Sequence, residues 1–144
     1  FLFYFSNDAR HRHYDPDLAS TDRGGEARQL KAAFRCYEDY DRARAITLRL
    51  KIENVARTEQ FQVSLNGHRI EPGRQQVRYA ANGRDTRIHT VKLGPYLEHE
   101  VSLRPEQLRQ GENVLEVTPT RLTAELAGKI NLVEIELHVG YGEP

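Results

Sequence analysis

Apolar and polar side chains alternate with a period of two along much of this chain. In "AITLRLKIEN", Ile46, Leu48, Leu50 and Ile52 fall on one face, and Thr47, Arg49, Lys51 and Glu53 on the other. That is the pattern of a strand packed on one side and wet on the other. In "FQVSLNGHRI", Phe61, Val63 and Leu65 alternate with Gln62 and Ser64 ahead of Asn66-Gly67. The pair tolerates positive φ at both positions, as a type I′ hairpin turn requires, so this turn has a complete structural account. Val91 and Leu93 alternate in "HTVKL", and Leu97, Val101 and Leu103 do so in "YLEHEVSL", with His99 on their side. Leu115 and Val117 follow in "NVLEV", and "NLVEIELHV" sets Val133, Ile135, Leu137 and Val139 against Glu134, Glu136 and His138. Strands with one apolar face each predict an all-β fold, an antiparallel β-sandwich of two sheets packed face to face.

Two segments read less simply. "EARQLKAAFRCY" offers Leu30, Ala32, Phe34 and Cys36 at period two, and also Leu30, Ala33, Phe34 and Tyr37 at helical spacing. The all-β surroundings favour the strand. "RPEQLRQGEN" predicts a single helical turn, with Pro105 at its first position, Leu108 packed inward and Gly111 in a left-handed conformation. The stretch 6–25 is rich in Asp, Arg, Ser and Gly without periodicity, and is expected to be a long loop or arm.

The length, 144 residues, suits one domain spanning 1–144. A chain of this size buries roughly 70% of its unfolded surface, enough for a core without staples. The 21 basic and 21 acidic side chains cancel, which speaks against a nucleic-acid partner. Cys36 is the single cysteine, so neither an intrachain disulfide nor a cysteine zinc site can form. No apolar run approaches the roughly 18 residues of a membrane span. "FLFYFS" is too short for a signal-peptide core. Methionine is absent even at position 1, which points to a fragment of a larger protein.

Three stretches carry candidate chemistry. In "DARHRHYDPD" an extended backbone would point His11, His13, Asp15 and Asp17 the same way, a donor set for a divalent metal; the plain alternative is a polar surface loop. "CYEDYDRAR" gathers Glu38, Asp39 and Asp41 between Tyr37 and Tyr40, an oxygen-rich turn of the kind that holds calcium, or a solvated turn paired with Arg42 and Arg44. "YAANGRDTR" places Tyr79 near Asn82, Arg84 and Asp85, a kit that grips a sugar by stacking its ring and fixing its hydroxyls; it is also a good turn sequence. No dinucleotide fingerprint, phosphate-binding loop or nucleophile elbow is present, and most acids are expected on wet strand faces. The chain therefore reads as a non-enzyme.

Taken together, "ITLRLKIENVARTEQFQVSLNGHRI", "HEVSLRPEQLRQGENVLEV" and "NLVEIELHV" resemble the galactose-binding-like jelly-roll domains that serve as accessory modules in bacterial glycoside hydrolases. The match rests on the strand ending in Leu65-Asn66-Gly67 and on Leu108 followed by Gly111-Glu112-Asn113, within residues 43 to 139. The interval between hairpin and Gly111 is longer than in that pattern, so an extra strand or insertion is expected there. The resemblance implies a non-catalytic sugar-binding or buttressing module, with a glycan or an adjacent catalytic domain as partner and an extracellular or cell-surface setting. The ligand-binding candidates are Tyr79, Arg84 and Asp85, with Asp39 and Tyr40 as a second patch. A different class of reading is an assembly domain, in which Phe1 to Phe5 and exposed strand edges mediate self-association. A third is a metal-dependent enzyme using His11 and His13.

Overall fold

The computed structural model describes residues 2–5, 8–23, 29–37, 40–81, 83–84, 92–93 and 95–141, with backbone alone for 2–17, 83–84 and 92–93. Among the described residues, twelve strands run in the order β1 (Leu2–Phe5), β2 (Asp8–Thr21), β3 (Leu30–Cys36), β4 (Ala45–Glu53), β5 (Gln60–Leu65), β6 (His68–Arg69), β7 (Gln75–Ala80), β8 (Gly83–Arg84), β9 (Lys92–Leu93), β10 (Tyr96–Leu103), β11 (Gly111–Arg121) and β12 (Ile130–Gly140). A six-stranded sheet of order β1-β2-β12-β4-β10-β7 packs on a four-stranded sheet of order β3-β11-β5-β6, and β8 and β9 form a separate pair. Every pairing is antiparallel. The fold is a β-sandwich, as the alternation predicts, and β7 to β10 occupy the long interval between hairpin and Gly111.

Alternation builds the core. Ile46, Leu48, Leu50 and Ile52 of β4 are buried, and they share the core with Leu30 of β3, Val63 and Leu65 of β5, and Leu115 and Val117 of β11. The ambiguous segment 30–37 is a strand, with Leu30, Ala32 and Cys36 buried and Phe34 packed against the core. Apolar burial at this scale is the main term favouring the folded state.

Strand β12 departs from simple alternation. The ladder to β4 slips between Leu132 and Glu134, so Val133 is an extra residue. The bulge shifts the phase by one: Ile130 and Leu132 precede it on the core face, and Ile135, Leu137 and Val139 follow it there. Val133 is buried but lies outside that central cluster.

The expectation of a loop or arm over 6–25 is corrected for Asp8–Thr21, which form β2. Its backbone is claimed by β12, from Asp8 opposite Gly140 to Thr21 opposite Ile130. Backbone pairing does not need side-chain periodicity, which is why composition misled here. The same pairing slips between Tyr14 and Ala19, which oppose Glu134 and Leu132.

The outer face of the large sheet is less wet than expected. Glu134 is 2% exposed and Glu136 7%. Lys51 Nζ lies 3.1 Å from Glu134, while Arg49 reaches Glu136 at 3.1 Å and Glu100 at 3.2 Å. Burial works against the Arg49 charge, but both carboxylates outweigh it and hold the guanidinium above its ordinary value. Arg78 adds Glu98 at 2.8 Å. Signs alternate across neighbouring strands, so each charge sits beside its opposite.

The Asn-Gly turn does more than reverse the chain. Asn66 and Gly67 take φ of 52° and 83°, as a type I′ turn requires. In addition, Asn66 Nδ2 donates to Asn113 Oδ1 and to Gln107 O, both at 3.0 Å, and Asn66 Oδ1 accepts from Val114 N at 2.9 Å. Asn113, fully buried, accepts from Arg109 N at 2.8 Å and donates back to Arg109 O at 2.9 Å. The hairpin and the Pro105–Gln107 turn, far apart in sequence, are thus one polar joint. Replacing Asn113 with Ala leaves the Arg109 amide and a side-chain donor of Asn66 without their acceptor. Urea denaturation should show a loss of about 2–3 kcal/mol, whereas an unchanged midpoint would mean that the joint is dispensable.

Candidate functional site

The two sheets differ in width, and the difference opens a cleft. Strand β3 of the small sheet contacts β2, which sets that sheet toward one side of the large one. At the other side β6 has two residues, too few to roof β7. Tyr79 lies opposite Leu97 and Val77 opposite His99, so these side chains share the inward face. Yet Val77 is 53% exposed where His99 is 2%. The resulting cleft has a volume of about 600 Å3, between β7, β10, β5 and the segments flanking β5 and β6. A bulge in β11 lies beside it: Pro119 pairs with Phe61 and Arg121 with Gln60, leaving Thr120 as an extra residue on the cleft wall.

His99 forms part of the floor, beside Leu97 and Phe61. The Phe61 ring meets it edge-on, with centroids 6.4 Å apart and planes at 81°. Gln75 Nε2 donates to Ile70 O at 3.1 Å, which turns Gln75 Oε1 toward His99 Nδ1 at 3.3 Å. An amide oxygen only accepts, so the proton belongs on Nδ1 and Nε2 keeps its lone pair. That buried Nε2 has no hydrogen-bond partner among the described residues. Burial pushes the imidazole pKa down to about 4, so the ring is neutral at pH 7.

Two guanidinium groups line the cleft. Arg57 lies over the Tyr79 ring, 4.8 Å from its centroid, and Arg69 comes from β6. Glu59 is the one carboxylate among the lining residues, and it is already engaged. Arg23 grips both of its oxygens at 2.5 and 3.0 Å, Ala56 N donates at 2.8 Å and Thr123 N at 3.0 Å. Burial opposes the Glu59 charge, but Arg23 and the two amides outweigh it and hold the carboxyl below its ordinary range. A carboxylate so stabilised is a fixed anion rather than a proton donor.

The predicted site residues are dispersed. Tyr79 lines the cleft, with Arg57 on its ring. The backbone of Arg84 lies in β8, paired with Lys92. Asp85 and Asp39 lie outside the described residues. Tyr40 opens the turn Tyr40–Arg42 and is 5% exposed within the core, so its ring presents no open face for stacking. The backbones of His11 and His13 lie on β2 opposite Leu137 and Ile135, while Asp15 and Asp17 fall within the slipped stretch, where β12 pairs with neither. Among the described residues, no group of three or more His, Cys, Asp or Glu could hold a metal. Sequence reasoning passed over Arg57, Arg69 and Gln75; the visible signal was His99, a titratable residue in the apolar register of β10.

No protein-family model matches the chain, and no curated protein matches it. Among solved structures, it is similar to dimeric latent PorU from Porphyromonas gingivalis, with a TM-score of 0.46 and 14% identity. That match covers 92% of this chain and 12% of the other.

A buried neutral histidine makes stability depend on pH. With the folded pKa near 4 and an ordinary value of 6.5, the unfolded chain binds the extra proton between them. The contribution is complete above about pH 6.5 and is lost as pH falls toward about 4, up to about 3 kcal/mol. The Glu59 contribution, from a lowered pKa, is lost only at more acid pH. Urea midpoints between about pH 6.5 and 5 should therefore fall in the native chain and stay flatter in His99→Leu. Parallel profiles would show that His99 is not held neutral.

Proposed function

We propose that this chain is a non-catalytic carbohydrate-binding β-sandwich module, of the galactose-binding-like kind, serving a larger carbohydrate-active or cell-surface protein. The observation that carries the reading is the cleft beside β7, where an apolar floor meets neutral hydrogen-bonding groups. Tyr79, Val77 and Phe61 offer apolar surface; Gln60 and Gln62 offer polar contacts. Its volume of about 600 Å3 falls in the range of small-ligand sites. The engaged state of Glu59 favours binding over glycoside cleavage, which needs two carboxyl groups flanking the bond. The joint between Asn66 and Asn113 also links the two stretches on which the family resemblance rests.

Calorimetric titration against a sugar panel tests this. At least one sugar should bind, and Tyr79→Ala should weaken it about tenfold, or about 1.4 kcal/mol. Failure of every sugar to bind would reject the binding role and leave buttressing of a neighbouring domain.

A second reading, assembly through strand edges, draws on β1 and β7 ending the large sheet among the described residues. Under that reading, light scattering should report a mass above the monomer for the full chain and a monomer after removal of residues 1–5. Monomers in both samples would exclude it.

A further inference from the structure

The charge of the cleft narrows the ligand class. Over the whole chain, 21 basic groups balance 21 acidic ones. Within the cleft they do not balance. Its three charged lining residues are Arg57, Arg69 and Glu59, and Glu59 is neutralised by Arg23. Neither Arg57 nor Arg69 forms an ion pair among the described residues. By contrast, Arg49, Lys51 and Arg78 on the outer face of the large sheet are each matched to a carboxylate. Two guanidinium groups beside a low-dielectric floor attract an anion, and the planar fork of arginine suits a carboxylate held by two parallel hydrogen bonds. Stacking over Tyr79 restricts the Arg57 guanidinium before any ligand arrives.

The floor differs from the walls: Leu97 and Phe61 lie there beside His99, whose Nε2 is itself buried. An apolar floor suits the ring of a small molecule, and the cations on the walls suit one carboxylate carried by that ring. The cleft volume, about 600 Å3, matches a small ring compound better than an extended peptide.

We infer that the ligand is an acidic sugar whose carboxylate is held by Arg57 and Arg69. The inference rests on the proposed binding role and adds the ligand class. It is tested on the full chain by calorimetry with the methyl glycosides of glucose, galactose and mannose and with their uronic-acid counterparts, at low and high salt. A short oligoglutamate peptide serves as the acidic non-sugar. At least one uronic acid should bind about tenfold or more tighter than its neutral parent, with the preference shrinking as salt rises. Arg69→Gln, an exposed substitution, should remove most of that preference; the double variant with Arg57→Gln should remove the rest. Equal affinity for acidic and neutral sugars would overturn the inference and leave the binding role standing. So would a preference that survives in the double variant. Tighter binding of oligoglutamate than of any sugar would replace the sugar with an acidic peptide, and no binding at all would reject both the inference and the binding role.

Discussion

The unequal width of the two sheets is the constraint on which the rest of this structure depends. Six strands face four, so the small sheet cannot cover the whole inner surface of the large one. The central strands gain most, and Leu48, Leu50, Leu115 and Val117 are fully buried between them. At β7 the roof runs out. Side chains whose strand parity sends them inward then meet an opening instead of a core, and Val77 stays half exposed. Monomeric proteins seldom leave inward-facing apolar positions open without use.

Polar groups near that opening follow the rule that buried donors and acceptors must be matched. Asn66 and Asn113 match one another and the backbone around them. Glu59 is matched by Arg23 and two amides. His99 follows the rule on one side only: Nδ1 is matched by Gln75, and Nε2 is not. An unmet acceptor costs on the order of 1–3 kcal/mol in the free protein.

Much of the fold is legible in the sequence because alternation is a local signal. The β4 and β10 patterns give their buried faces directly, Asn66-Gly67 gives the turn type, and Pro105 marks the short helical turn. The signal fails where geometry is set by a partner strand. The charged stretch of β2 pairs by its backbone, and the Val133 bulge re-phases β12 without any mark in composition. Glu134 and Glu136 have the alternation of exposed acids but are buried beside Lys51 and Arg49. The site is harder still. Arg57, Arg69, Tyr79 and His99 come from four different segments, and only the sheet mismatch brings them to one cleft. Tyr79 was visible as an aromatic near a turn; Tyr40, chosen on the same grounds, belongs to the core.

Chemical labelling reaches the central claim most directly. The buried Cys36 thiol provides an internal control. In a Val77→Cys variant, the introduced thiol should react with a maleimide at a rate near that of an exposed cysteine, while Cys36 stays inert until urea unfolds the chain. Protection of the introduced thiol to the same degree as Cys36 would mean that the inner face of β7 is covered, and the cleft with everything inferred from it would fall.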